Sequence, residues 1–545
     1  MKEESTFTRL DMAFSRFLSR RSALTGAAKD NFEKLIARLS FEQNQGHSCI
    51  RIDAKARETV MASGLASRSD TAPLIVEDDR LYLQRYWAYE KNLVNRIGAM
   101  TRFNVSPVDA EALLDRYFPT ALAETDWQRE AAKTALNRTF CIITGGPGTG
   151  KTTTIVKILA LLQELAQRPL FIALAAPTGK AAMRLQESIG NSKSALPCSE
   201  AVKQSLPESV TTLHRLLGSR PPSPYFRHNA EKPLPFDLVV VDEASMVDLA
   251  LMSKLVDALK PSARLILLGD KDQLASVESG AVLADLTAAL PDHTVELKKA
   301  HRFDVTIKNL AEAVNLQHPE AAWSALQAAN ENIGLLNQDA IAYIAGHRLD
   351  YLRAIENSND IEQIFNVFKR FQVLCANRAG KYSVADINSQ VERRLASTGH
   401  INPIGTWYHG RPVMITQNDA SLQLYNGDIG LCLKDAEQNG KLMVFFQRPD
   451  GSIKKCLPAR LPHCETVYAM TIHKSQGSEF DEILIALPDQ HNPVLTKELL
   501  YTAITRARKS VKILADQQVF NETVLRKIER FGGLAQKLMV IEQGR

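Results

Sequence analysis

The segment GGPGTGKT, residues 145–152, fits the pattern G-x-x-x-x-G-K-[ST]. In such a segment the glycines let successive backbone N–H groups converge on phosphate, and the following helix adds its N-terminal dipole. Gly145, Gly146, Pro147, Gly148, Thr149 and Gly150 would form the cradle, Lys151 would reach the β- and γ-phosphates, and Thr152 would offer its hydroxyl to Mg2+. The implied chemistry is binding and cleavage of ATP. Ninety-one residues after Lys151, VVVDEAS (239–245) delivers Asp242 from an apolar run, placed to hold the metal ion. Glu243 beside it could orient or deprotonate an attacking water. LILLGDKDQL (265–274) is a third run ending in polar residues, and its Gln273 could hydrogen-bond the γ-phosphate. Upstream, Gln128 of ETDWQREAA could read an adenine edge, because an amide is both donor and acceptor.

Arginines supplied from a second domain can neutralise charge on a transferring phosphoryl group. Arg302 of KKAHRF (298–303) lies just beyond the first group of motifs. Arg506 and Arg508 fall in LLYTAITRARKSV (499–511), read as helical. In AMTIHKSQGSEFDEI (469–483), Thr471, His473 and Lys474 could touch a phosphate backbone, whereas Gln476, Gly477 and Glu479 would face the nucleotide.

These residues need sheets to hold them. FCIIT (140–144), LFIALA (170–175), LVVV (238–241) and ARLILL (263–268) are short apolar runs bounded by turn signals, as buried parallel strands are. SRPPSPYFRHNAEKPLPF (219–236) has five prolines in residues 221–235 and reads as an excursion from that sheet. A second strand–helix series starts at FQVLCA (371–376) and resumes with EILIAL (482–487) and VKILAD (511–516). Between them, PVMIT, IGLCL, LMVFF and SIKKCL are separated by YNGD, QNG and RPDG turns, a small β-barrel-like insertion. Residues 1–105 read as helical, with Leu10, Phe14 and Phe17 at helical spacing; they form either a packing domain or a docking surface.

With 545 residues, 45% hydrophobic and 23% charged, the chain can build a core and has room for roughly three or four domains. Disordered and fibrous classes are excluded. No run approaches 18 apolar residues and residues 1–30 lack an apolar signal segment, so a cytoplasmic location is expected. Seven cysteines, no two within seven residues, give no CxxC pattern. The net charge of +5 equals that of residues 491–545, with ten Lys/Arg against five Asp/Glu. This balance permits nucleic-acid binding without arguing for it.

Taken in order, GGPGTGKT, APTGKAAMRL (176–185), TLHRLLG (212–218), VVVDEAS, GDKDQLASVESG, AHRF, TIHKSQGSEF and YTAITRAR resemble the motifs of superfamily 1 helicases. FRHNAEKPLPFDLVVVDEASMVDL and LQLYNGDIG narrow the resemblance to the RecD family, the alpha chains of exodeoxyribonuclease V (RecBCD), over about 80–545. The resemblance implies an α/β protein: a docking domain at 1–105, one RecA-like motor domain at 106–360 with an excursion at about 190–236, and a second at 361–545 with an SH3-like insertion at about 405–465. It implies ATP and Mg2+ as cofactors, 5′→3′ movement on single-stranded DNA, and the beta and gamma chains as partners, in double-strand-break repair and recombination. It assigns Lys151, Glu243, Gln273, Arg302 and Arg506 to catalysis, Thr152 and Asp242 to the metal, and Gln128 to adenine. Pro177, Thr178, Lys180, His214, Thr471, His473 and Lys474 would face DNA. Trp407 and Tyr408 are read as core, with base stacking as the alternative. LDYL (349–352) lacks the lysine and acidic context of a nuclease cluster. A stand-alone helicase of the same superfamily is the alternative function.

Overall fold

The computed structural model describes residues 7–543, except 70, 104–109, 120–124, 277, 299–303, 329, 359, 420, 449–450 and 462. Two parallel sheets dominate it. The first has six strands in the order Thr294–Glu296, Phe140–Thr144, Arg264–Gly269, Leu238–Val241, Ile172–Ala176 and Val210–Thr212, all parallel. The second has five, also parallel: Ile333–Leu335, Ala507–Leu514, Phe480–Ala486, Phe371–Cys375 and Ala469–Thr471. Helices cover both faces of the first sheet, which is why its central strands are apolar throughout rather than alternating. The protein is thus α/β, with two RecA-like domains.

The domain limits differ from the sequence-based ones. Helix Gln84–Arg102 packs Leu93, Val94 and Ile97 into the first sheet's core, so it belongs to that domain and not to the N-terminal one. Each such buried side chain contributes about 1.5–3 kcal/mol. Helices Val305–Asn315, Pro319–Gln327 and Ala340–Asn357 pack on the second sheet, and strand Ile333–Leu335 extends it. The second domain therefore begins near residue 304, not 361. The excursion expected from about 190 is also shorter. Strand Val210–Thr212 joins the sheet, and Leu196, Leu206, Leu213 and Leu217 are core residues, leaving 218–233 outside it.

Between Arg411 and Thr466 the chain forms a five-stranded antiparallel sheet in the order Ile453–Cys456, Lys441–Gln447, Ile429–Asp435, Arg411–Ile415 and Cys464–Thr466. Trp407 packs against its apolar side and Tyr408 is buried, its hydroxyl donating to Glu392 at 2.8 Å. Both are packing residues, as read from the sequence.

The N-terminal domain pairs helices Arg9–Ser19 and Gly26–Asn44 over a four-stranded sheet. The first helix turns a polar face inward. Asp11 is fully buried and accepts hydrogen bonds from Ser40 Oγ at 2.6 Å and Asn44 Nδ2 at 3.1 Å. Leu10 and Phe17 are left 70% and 50% exposed. At the other end of the chain, helix Leu534–Gln543 returns to the first domain and buries Leu534 and Leu538 in its core. Among the described residues, no helix is long and apolar enough to cross a membrane.

Candidate active site

The carboxyl ends of three adjacent strands place the phosphate loop, Asp242 and Asp270 side by side. This is where open parallel sheets hold ligands. The loop leaves strand Phe140–Thr144 and enters helix Lys151–Leu165 through Gly150, whose φ is +84°. A Cβ there would lie 2.7 Å from Gln128 Nε2, so glycine is required both by the backbone and by the neighbour. Lys151 Nζ donates to the carbonyls of Gly145 at 2.6 Å and Gly146 at 3.0 Å, and Thr149 Oγ1 donates to Gly146 at 2.9 Å. These bonds curl the cradle around the lysine.

Asp242 is deeply placed. Burial, reinforced by Glu243 beside it, raises its carboxyl to about 6. Glu243 has φ of +51° and donates its N–H to Asp242 Oδ1 at 2.9 Å. The strained turn at Glu243 aims it into the cleft. Asp270, at the end of the neighbouring strand, is raised to about 6 by burial as well. It accepts from Gln273 Nε2 at 2.8 Å, which holds that buried amide in the cleft.

The second domain supplies the facing wall. Arg506 lies in the turn between helix Lys497–Ile504 and strand Ala507–Leu514, and Arg508 is on the strand; neither is on a helix as expected. Arg506 is 2% exposed and is held by the carbonyls of Thr502 at 3.1 Å and Ser478 at 3.4 Å. Burial lowers its pKa, against the pull of Glu243 and Asp270. Tyr501 Oη donates to Asp270 at 3.2 Å, the Leu274 N–H to Thr502 Oγ1 at 2.9 Å, and Gln476 Nε2 to the Leu274 carbonyl at 3.0 Å. Glu479 bridges the domains, pairing with Arg184 of the first and with Arg508 of the second at 2.9 Å. A Cβ on Gly477, whose φ is +69°, would lie 3.9 Å from Ala181.

The result is one cleft of about 530 Å3, lined by Gln128, Lys151, Thr152, Asp242, Glu243, Gln273, Glu479 and Arg506 together. Arg302 lies outside the described residues. Asp270, Tyr501, Thr502 and Arg184 were not singled out from the sequence. Asp270 had a signal, since it occupies the same strand-end position as Asp242. The others lie inside the quoted runs APTGKAAMRL and YTAITRAR, but no spacing within those runs marks which polar residue crosses to the other domain.

The residues expected on DNA are more scattered. Thr178 caps helix Gly179–Lys193 through Ala181 N–H at 3.2 Å, with Pro177 just before it. Burial lowers Lys180 to about 8, with Asp428 of the antiparallel sheet pulling the other way. His214 is exposed, its ring 5.8 Å from that of Phe226. Thr471 is buried and its hydroxyl accepts from Lys474 N–H at 3.3 Å. Lys474 Nζ pairs with Glu465 at 2.7 Å, and burial lowers the pKa of His473.

A phosphate cradle, the adjacent acids Asp242 and Glu243 at a strand end and an arginine from a second RecA-like domain, all in one cleft, define a P-loop NTPase motor. Residues 128–279 match the AAA domain family and residues 466–514 the UvrD-like helicase C-terminal domain family. The chain is 41% identical to the RecBCD enzyme subunit RecD of Mycolicibacterium smegmatis over 470 residues, 84% of this chain and 82% of that one. It is 36% identical to RecBCD enzyme subunit RecD of Haemophilus influenzae, over 86% of this chain and 81% of that one. To the ATP-dependent RecD2 DNA helicase of Deinococcus radiodurans it is 32% identical, over 83% of this chain and 58% of that one. The chain belongs to the RecD family of RecBCD enzyme subunits, and is an ATP-dependent DNA helicase subunit of that type.

Proposed function

We propose that this chain hydrolyses ATP at the cleft between its two motor domains and uses the cycle to move 5′→3′ on single-stranded DNA, as the alpha subunit of a RecBCD-type complex. The observation that carries the reading is the convergence of Lys151, Asp242 and Gln273 from one domain with Arg506 from the other on one cleft. Gly145–Gly150 and Lys151 hold the phosphates, and Gln128 meets the adenine. Thr152 and Asp242 offer a hydroxyl and a carboxylate, the hard oxygen donors that suit Mg2+, and the ion would neutralise charge between the β- and γ-phosphates. Glu243 takes a proton from the attacking water, Gln273 senses the γ-phosphate, and Arg302 and Arg506 stabilise the transferring group. Arg506 comes from the second domain, so its reach to the γ-phosphate depends on how the two domains pack. ATP then governs domain closure.

Pro177, Thr178, Lys180, His214, Thr471, His473 and Lys474 carry the strand through backbone contacts, giving sequence-tolerant, salt-dependent binding. The beta and gamma subunits are the partners. The exposed Leu10 and Phe17, one face of the first helix, support docking over a stand-alone role. A duplex with a 5′ single-stranded tail is expected to be unwound, and one with only a 3′ tail is not. Equal or reversed preference would overturn the polarity.

A further inference from the structure

The loop that holds Gln273 does not end at the cleft. Before helix Val282–Ala289 its residues Ser276 and Glu278–Gly280 meet two segments remote in sequence. The Arg530 guanidinium donates through Nη1 to the carbonyls of Glu278 and Gly280, both at 2.7 Å, and through Nη2 to that of Ser276. From the N-terminal domain, the Gly46 carbonyl accepts from Gly280 N–H at 2.9 Å, and the Gln43 carbonyl from Ser279 Oγ at 3.3 Å. The Arg530 segment is itself tied to that domain. Phe531 N–H donates to His47 Nδ1 at 2.9 Å, and Ser48 N–H to the Phe531 carbonyl at 3.0 Å.

The approach is tight. A Cβ on Gly532 would lie 2.8 Å from Ser48 Oγ, and one on Gly533 would collide with Tyr82 Oη. Gly533 N–H and Lys537 Nζ both donate to Glu90, at 3.0 and 2.9 Å, which locks the segment in place behind Arg530. One planar guanidinium thus holds the carbonyls of Ser276, Glu278 and Gly280 together, a task for which a lysine's point charge is less well shaped. Nearer the cleft, the same loop is held at Leu274 by Thr502 and Gln476.

We propose that Arg530 is a positioning residue for ATP turnover: it fixes the backbone carbonyls of Ser276, Glu278 and Gly280 beyond Gln273, and joins that loop to the N-terminal domain. The N-terminal domain is then part of the ATP switch, and force applied to it reaches the γ-phosphate sensor. The inference rests on the reading that the cleft hydrolyses ATP.

The test uses the full chain, with DNA-stimulated ATP turnover, affinity for a fluorescent ATP analogue and thermal unfolding measured side by side. Arg530→Ala is expected to lower kcat about tenfold, with analogue affinity within about twofold of wild type. Arg530→Lys should recover part of the loss. Ser279→Ala, which cuts one tie to the N-terminal domain, should lower kcat by about two- to threefold. A folded Arg530→Ala chain with wild-type kcat would overturn the proposal, as would equal losses of kcat and affinity without recovery by lysine. If Arg530→Ala does not fold, Ser279→Ala decides, and an unchanged kcat there overturns it. Lys151→Gln separates the two readings: turnover surviving in that variant discredits the cleft itself, not the role of Arg530.

Discussion

The two walls of the nucleotide cleft are built differently. The first wall is local. Its cradle, Asp242 and Asp270 sit at the ends of neighbouring strands, and their polar contacts are made almost wholly within one domain. The second wall consists of Arg506, Tyr501, Thr502 and Gln476, and three of these bond across the domain boundary. The difference assigns separate tasks. On the proposed function, the first wall would bind nucleotide whether or not the second is in place, and chemistry would wait for the second. Binding and turnover should therefore come apart when the second wall is damaged.

The largest separation is expected from Arg506→Ala. Turnover should fall by about 10³-fold or more, with nucleotide affinity nearly intact. Single-turnover hydrolysis against equilibrium binding checks this, and parallel losses would make Arg506 a packing residue instead.

A pH experiment examines the first wall. The Asp270 carboxyl is raised by burial from 3.8 to about 6, so its neutral form is favoured in the folded chain. Its contribution to stability is complete below about pH 4 and is lost as pH rises through about 6. The wild type should thus gain stability relative to Asp270→Asn as pH falls from 8 to 5, by about 1.4 kcal/mol. Unfolding midpoints of the two chains across that range measure it. A constant difference would mean the carboxyl is ionised throughout.

The smallest effect belongs to Tyr501→Phe. It removes one bridge, Tyr501 Oη to Asp270, while keeping the ring. A few-fold drop in kcat with unchanged affinity is expected, in keeping with one hydrogen bond to a carboxyl group. If affinity drops instead, Tyr501 serves the first wall, where it also approaches Gly146.

How much of this was readable follows the same division. The central strands Phe140–Thr144 and Leu238–Val241 begin and end where the apolar runs do, because a strand buried on both faces leaves an unbroken hydrophobic run. The edge strands Val210–Thr212, Thr294–Glu296 and Ile333–Leu335 have three residues each and leave no such trace. Helix Ala340–Asn357 has a clear apolar period, but periodicity does not say which sheet a helix covers. That is why the second domain starts near 304 and not 361. YTAITRAR reads as one helix, yet strand pairing with Phe480–Ala486 takes over at Ala507.

The sequence by itself determined the phosphate cradle, the strand-end acids and the family to which they belong. Each depends on a handful of contiguous residues whose backbone and side-chain chemistry is local. Only the tertiary structure decided that Arg506 lines the same cleft as Lys151, how Tyr501 and Asp270 meet, and that Arg530 closes on a loop some 250 residues earlier. Those contacts join residues hundreds of positions apart. What selects them is the exclusion of water between packed domains, and no local spacing encodes that.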